Sequence, residues 1–298
     1  MNAGRFAPSP SGDLHVGNLR TALLAWLFAR STGRDFLMRM EDLDRVREGS
    51  AQRQLADLAA LGLSWSDPVV YQSTRLASYR EVVDSLIRDD RTFECFCTRR
   101  EILDAPSAPH APPGSYPGTC RDLTEAQRDA RRAERPAAIR LRAGTSSFTV
   151  SDVLHGEFTG DVDDFVLLRN DGTPAYNLAV VVDDAASGID QVVRGDDLLS
   201  SAPRQTYLAT LLGHASPVYA HVPMVLNDSQ IRLSKRDGAI TLAQLAEHGL
   251  DADGVLSLIA ESLDLAEPGE PVTAETLLAR FDPAALPCEP WIFRTSTD

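Results

Sequence analysis

Two short segments, roughly two hundred residues apart, carry the residue types needed for chemistry on a phosphate. The first runs from Pro8 to Asn18, Pro-Ser-Pro-Ser-Gly-Asp-Leu-His-Val-Gly-Asn, and sets His15 beside Gly17. The second, Arg232-Leu-Ser-Lys-Arg236, is a small basic loop around Lys235. A strand that turns into a helix aims backbone N–H groups and a positive dipole end at whatever sits above the turn. Gly12 and Gly17 let the backbone come close to a ligand there. His15 near that helix start can donate to a phosphate oxygen. Alone, each segment is a few residues of common types: a loop with a structural histidine, or a surface lysine. Together and in this order they point to an enzyme that activates a substrate with a nucleotide.

The elements that must position these groups can be read from periodicity and turn residues. Gly4 to Ala7 reads as a short strand, broken by Pro8 and Pro10. Leu19, Leu23, Trp26 and Leu27 then recur at helical spacing, with Asn18 as the expected N-cap. Phe36 to Met40 reads as a second strand, and residues 50–62 and 77–88 as helices. This alternation predicts βαβ units and a parallel sheet. Residues 91–150 break the rhythm with three cysteines, a Pro/Ala/Ser/Gly stretch and an arginine-rich helix. Strands are expected again at Asp164–Leu168, Tyr176–Val182 and Gln191–Arg194, a helix at 202–212, and helical segments after Lys235. The predicted organisation is therefore 1–90, the first half of a catalytic domain; 91–150, an insertion; 151–240, the second half; and 241–298, a short helical segment.

Composition sets bounds. The apolar fraction is 43% and the charged fraction 24%, as in ordinary globular proteins. No apolar run approaches the ~20 residues of a membrane span, and the N-terminus shows no signal pattern, so the cytoplasm is the expected location. The net charge of -14 repels nucleic acid at long range, so any RNA must meet a local basic face. Arg128, Arg131, Arg132 and Arg135 share one expected helix, although such charge runs are usually solvated surface. Cys95, Cys97 and Cys120 cluster in sequence, which favours a metal over a disulfide. Three thiolates and one further donor would close a tetrahedral zinc site, with His110 the chemically ordinary fourth ligand and Tyr116 an unusual one. Cys288 stands apart and is expected to be buried or free.

Arg5 to Asn18 resembles the opening of class I glutamyl-tRNA synthetases, including their HIGH signature, and Arg232 to Arg236 resembles their KMSKS loop. Arg39–Asp44, Tyr176–Asp184 and Val193–Leu199 are similar to further segments of that catalytic domain, so the likeness spans roughly residues 4–240. It implies an α/β Rossmann-type catalytic domain with a small zinc-containing insertion and a short helical C-terminal segment. It implies ATP, with Mg²⁺, bound by His15, Gly17, Asn18 and Lys235, with His15 and Lys235 catalytic. Arg232 keeps the charge of the family's first basic residue in that loop but changes its geometry. The resemblance also favours Tyr116 as the fourth ligand beside Cys95, Cys97 and Cys120.

Glutamate carries two carboxylates and one ammonium, and a matched pocket needs about two cations and one anion. Arg5, Arg194 and Glu41 supply that set. The resemblance places Phe6, Ala7, Pro8, Ser9 and Tyr176 in the same pocket, with Glu41 receiving the amino group. The structural alternatives are an Arg5–Asp42 ion pair and a core Tyr176. Only about sixty residues follow Lys235, too few for a large anticodon-binding region. That matches the shortened members of the family, which attach glutamate to the queuosine base of tRNA(Asp). The expected partners are thus L-glutamate, ATP and queuosine-bearing tRNA(Asp), met by a monomer. Other readings are a discrete glutamyl-tRNA synthetase module, an inactive synthetase-like RNA-binding regulator, and a nucleotidyltransferase of the same fold, which would not need the glutamate pocket.

Overall fold

A computed structural model describes residues 2–104, 116–231, 233 and 240–294. The chain opens with β1 (Ala3–Phe6), α1 (Val16–Ser31), β2 (Asp35–Met40), α2 (Ser50–Ala60), β3 (Ser66–Tyr71) and α3 (Leu76–Arg88). Next come β4 (Thr92–Cys95), α4 (Arg99–Asp104), α5 (Glu125–Arg132), β5 (Ala138–Leu141), β6 (Ser147–Asp152), β7 (Gly156–Asp161) and β8 (Val166–Leu168). Then follow α6 (Tyr176–Ala186), β9 (Ile189–Gly195), α7 (Ala202–Leu211), β10 (Val218–Val222) and β11 (Val225–Leu226). Helices α8 (Leu242–Glu247), α9 (Ala252–Glu261) and α10 (Ala274–Arg280) precede the final strand, β12 (Trp291–Ile292).

The main sheet has the order β3-β2-β1-β9-β10-β6-β7. Its neighbours run parallel except for β7, which is antiparallel to β6 at the edge. The order reverses between β1 and β9, and in such sheets ligands bind at the carboxyl ends of the strands at that point. A parallel strand is buried on both faces, and β1 and β9 obey this. Val193 joins the core under α1, while its neighbour Val192 packs on the opposite face with Ala3 and Ala202. Helix α1 is apolar almost all round and packs with Val255 and Ile259 of α9 and Leu277 of α10. A second sheet, β4-β5-β8, is antiparallel. The stretch 91–150 supplies β4 and β5 of this sheet and β6 of the large one. Among the described residues no helix is long and apolar enough to cross a membrane.

The structure departs from three expectations. Tyr176–Val182 is not a strand but the first two turns of α6. An apolar run buried on all sides carries no periodicity to separate helix from strand. Asn18 is not the N-cap of α1; His15 is, with Nδ1 accepting the Asn18 N–H at 3.3 Å, while the Asn18 side chain accepts the His15 N–H. The strand expected at Asp164–Leu168 is shorter, Val166–Leu168.

Candidate functional site

The carboxyl ends of β1, β2 and β9 and the start of α1 surround one cavity of about 1030 Å³. Its lining brings together Arg5, Phe6, Ala7, Pro8, Ser9, His15, Gly17, Asn18, Glu41, Tyr176 and Arg194, residues spread over most of the chain. Lys235 and Arg232 lie outside the described residues, as does His110. Leu233 also lines the cavity.

On the α1 side the local geometry suits an anion. Gly12 has φ 146°, a conformation open to glycine and strained for other residues. A Cβ on Gly17 would sit 3.1 Å from the His15 ring and 3.2 Å from Val225, so glycine lets the helix start close against that histidine. Because His15 Nδ1 accepts from the Asn18 N–H, the proton of the neutral ring sits on Nε2, where it can be donated.

On the other side stands a buried charge network. Arg5 donates through Nε to Asp184 at 3.1 Å. Arg39 donates to the same carboxylate at 2.6 Å and lies 3.5 Å from Glu41. Burial pushes the Glu41 carboxyl above its ordinary value, against the pull of Arg39 and Arg5. Burial works the same way on Asp184, but there Arg39 and Arg5 prevail and hold it below the ordinary range. Asp183 accepts from Gln72 at 2.9 Å, Tyr79 at 2.8 Å and Arg75 at 2.5 Å, tying α3 and its preceding turn to α6. Asp42, the sequence-level alternative partner of Arg5, instead accepts from the backbone and hydroxyl of Ser73. Tyr176 is not a core residue: it is 40% exposed and faces the cavity.

Arg194 is held from behind. Its Nε donates to His221 Nε2 at 3.0 Å, and one Nη1–H goes to Gln205 at 2.7 Å. Longer contacts, both 3.3 Å, reach the Tyr176 hydroxyl and the Leu198 carbonyl. The two 3.3 Å contacts, one on Nη1 and one on Nη2, are the weaker bonds of the guanidinium, and these hydrogens can exchange them for a carboxylate. Asp184, Arg39, His221, Asp152 and Gln205 were not singled out from the sequence. Arg39 and Asp184 fell inside resembling segments; nothing local marked the other three.

The cysteines form a second centre. The Sγ atoms of Cys95, Cys97 and Cys120 all lie within 4.8 Å of one another, at the end of β4 and in the loop before α5. Cys97 and Cys120 are 3.6 Å apart, far beyond a disulfide bond and near the roughly 3.8 Å edge of a zinc–sulfur tetrahedron. Tyr116 belongs to the same cluster: its hydroxyl accepts the Cys120 N–H at 2.7 Å, and its ring packs against the core that holds Cys95 and Cys120. Burial, then the neighbouring thiols, push Cys97 up to about 12, whereas Cys95 is held low, against burial, by Tyr116 and Arg140. Three soft donors with a phenol oxygen among them fit the donor set of a structural zinc site. Cys288 is free and exposed.

The arginines of α5 and its end do not form an open basic face. Arg132 pairs with Glu94, Glu125 and Asp129, Arg135 with Glu101, Arg128 with Glu125, and Arg131 lies 3.9 Å from Glu134.

Residues 3–262 match the family described as tRNA synthetases class I (E and Q), catalytic domain. A glutamyl-Q tRNA(Asp) synthetase of Nocardia farcinica is 63% identical, over 97% of this chain and 92% of its own. One from Symbiobacterium thermophilum is 42% identical, over 97% of this chain and 95% of its own. A glutamate–tRNA ligase of Pelobacter propionicus is 38% identical over 97% of this chain but only 62% of its own length. Among solved structures, a glutamate tRNA ligase from Elizabethkingia meningosepticum in complex with its amino acid superposes with a TM-score of 0.82, at 25% identity, over 99% of this chain and 67% of that one.

Proposed function

This chain belongs to the catalytic-domain family of class I tRNA synthetases for glutamate and glutamine, and from that premise we propose that it activates L-glutamate with ATP and transfers it to the queuosine base of tRNA(Asp). The observation that carries the first half is the convergence of Arg5, Glu41 and Arg194 in one cavity with the start of α1. The acceptor rests on the relatives similar over almost their whole length, which are named glutamyl-Q tRNA(Asp) synthetases.

In this reading Glu41 takes the substrate ammonium, and Arg5 and Arg194 take its carboxylates, with Tyr176 and Phe6 to Ser9 as walls. The α-carboxylate oxygen attacks the α-phosphorus of ATP. A new P–O bond forms, the bond to pyrophosphate breaks, and glutamyl-adenylate remains. His15, through Nε2–H, and the start of α1 at Gly17 and Asn18 hold the phosphates, while Lys235 neutralises charge on the departing pyrophosphate. Such catalysis is positioning and electrostatics, with no covalent enzyme intermediate. Mg²⁺ accompanies ATP and offsets phosphate charge. A hydroxyl of the queuosine cyclopentenediol then attacks the acyl carbon and releases AMP. Cys95, Cys97, Cys120 and Tyr116 would hold a structural zinc that ties the loop before α5 to β4 and takes no part in the reaction.

The test is transfer of labelled glutamate, with ATP, to tRNA(Asp) carrying or lacking queuosine. Label confined to the queuosine-bearing tRNA is expected. Label reaching tRNA(Glu) regardless of queuosine would establish an ordinary glutamyl-tRNA synthetase module instead. Absence of glutamate-dependent pyrophosphate exchange, with tRNA present, would leave only an inactive RNA-binding relative.

A further inference from the structure

We infer that His221, oriented by Asp152, is a positioning residue for Arg194 and thereby sets the affinity of the pocket for the amino-acid substrate. The inference rests on the reading of Arg194 as a substrate-carboxylate ligand. Three neighbouring strands of the main sheet, β6, β10 and β9, each contribute one member of a row. Asp152 ends β6, and His221 is the direct register partner of Arg194 between β10 and β9. The row therefore runs across the sheet, from β6 beside the edge strand to Arg194 on the central strand β9 at the cavity.

Its hydrogen bonds have one consistent direction. Asp152 Oδ2 lies 2.6 Å from His221 Nδ1. A carboxylate only accepts, so the imidazole proton sits on Nδ1. Nε2 is left with a lone pair, and the Arg194 Nε–H, 3.0 Å away, donates to it. The other tautomer would oppose two N–H groups at that distance. Asp152 is itself fixed: its Oδ1 accepts the backbone N–H groups of Leu154 at 2.9 Å and His155 at 3.0 Å, and Oδ2 accepts that of His221 at 3.1 Å. The Tyr219 ring stacks on His221, with centroids 5.5 Å apart, so the imidazole cannot swing away. Burial, with Arg194 nearby, holds His221 below its ordinary value despite Asp152, in keeping with a neutral ring. His221 has no exposed surface and cannot touch substrate. Its action must pass through Arg194, whose Nε it anchors so that the Nη1–Nη2 edge faces the cavity.

The experiment compares glutamate and ATP dependence of pyrophosphate exchange, with tRNA present, in the full chain. His221→Asn keeps a partner for Asp152 but loses the acceptor for Arg194. His221→Gln places an oxygen near the Nε2 position and restores it. Expected for His221→Asn is a rise of about tenfold or more in KM for glutamate, with KM for ATP within about twofold of wild type. His221→Gln should recover to within about threefold. Asp152→Asn leaves His221 intact and gives the same readout should His221→Asn not fold. The two N–H groups at Oδ1 fix its amide, so its NH₂ meets Nδ1 and drives the imidazole proton onto Nε2, against Arg194. A wild-type glutamate KM in these variants, or glutamate and ATP constants rising together, would overturn the inference. Arg194→Ala separates the two readings. If it leaves glutamate KM unchanged, the pocket assignment itself fails. If it raises KM while His221→Asn and Asp152→Asn are silent, only the positioning role fails.

Discussion

Arg5 on β1 donates its Nε–H to Asp184 on α6 at 3.1 Å, across 179 positions of sequence. Arg39 shares that carboxylate at 2.6 Å, and all three side chains are largely buried. A buried charge that loses its partner is costly. Asp184→Asn should therefore destabilise the protein by about 3 kcal/mol in urea denaturation at neutral pH. The pH dependence has a definite sign. Asp184 is held below its ordinary range by Arg39 and Arg5, against burial. Its contribution is present above the unfolded value of about 4 and is lost as pH falls through the folded value. Wild-type stability should decline below about pH 4 more steeply than that of Asp184→Asn. Parallel curves would deny Asp184 this role.

Glu41 carries the opposite sign. Burial raises its carboxyl in the folded chain, even with Arg39 and Arg5 nearby. The folded state thus favours the protonated form. Its contribution is present below the unfolded value of about 4.3 and is lost as pH rises through the raised folded value. Above the unfolded value the ligand-free protein bears the cost of a desolvated Glu41, a cost that grows until pH reaches the raised folded value. Glu41→Gln should raise stability at neutral pH by about 0.5–2 kcal/mol, the gain fading toward acid pH. The same variant should lose glutamate binding by calorimetry, since the ammonium has no counter-charge. A variant that is destabilised at neutral pH would contradict this account.

Gly17 tests the proposal that ATP binds on the α1 side of the cavity. A Cβ there would meet the His15 ring at 3.1 Å and Val225 at 3.2 Å. Helix α1 is buried along its length and cannot retreat, so the imidazole has to shift. Gly17→Ala should raise KM for ATP by roughly tenfold, with a smaller change in KM for glutamate. A uniform effect on both substrates would mean that α1 as a whole had moved.

What the sequence disclosed, and what it hid, follows from range. Gly17 and His15 were legible because a helix start is a local event. Arg5, Glu41 and Arg194 were legible because the family resemblance supplied glutamate as the substrate, and charge matching to it needs no coordinates. The cysteines were legible because two of them sit one residue apart. Asp184 was hidden just beyond an apolar run, Leu178–Val182, that reads equally well as strand or helix. The row of Asp152, His221 and Arg194 exists only through sheet order, which brings β6, β10 and β9 side by side. His15 as N-cap of α1 was hidden because histidine is an uncommon cap, whereas Asn18 has the favoured side chain one turn later.

The thiol cluster is energetically separate from the cavity. Phe93, Cys95, Phe96 and Cys120 form their own small core with Tyr116, apart from the cores around α1 and α6. Zinc loss should therefore unsettle this core while sparing adenylate chemistry. Metal analysis of the purified protein should find about one zinc per chain. Cys97→Ser should bring zinc close to zero and destabilise the protein by several kcal/mol, on the order of what structural zinc contributes in small domains. Pyrophosphate exchange should remain within about twofold of wild type in whatever fraction stays folded. Tyr116→Phe isolates the fourth donor. The ring keeps its place, with the Arg140 guanidinium 3.9 Å above its centroid and Phe93 packed beside it, and only the hydroxyl is lost. Zinc competition with a chromophoric chelator should then show affinity reduced by about tenfold or more. Unchanged affinity in Tyr116→Phe would exclude the phenol as a ligand and require a donor from outside the described residues.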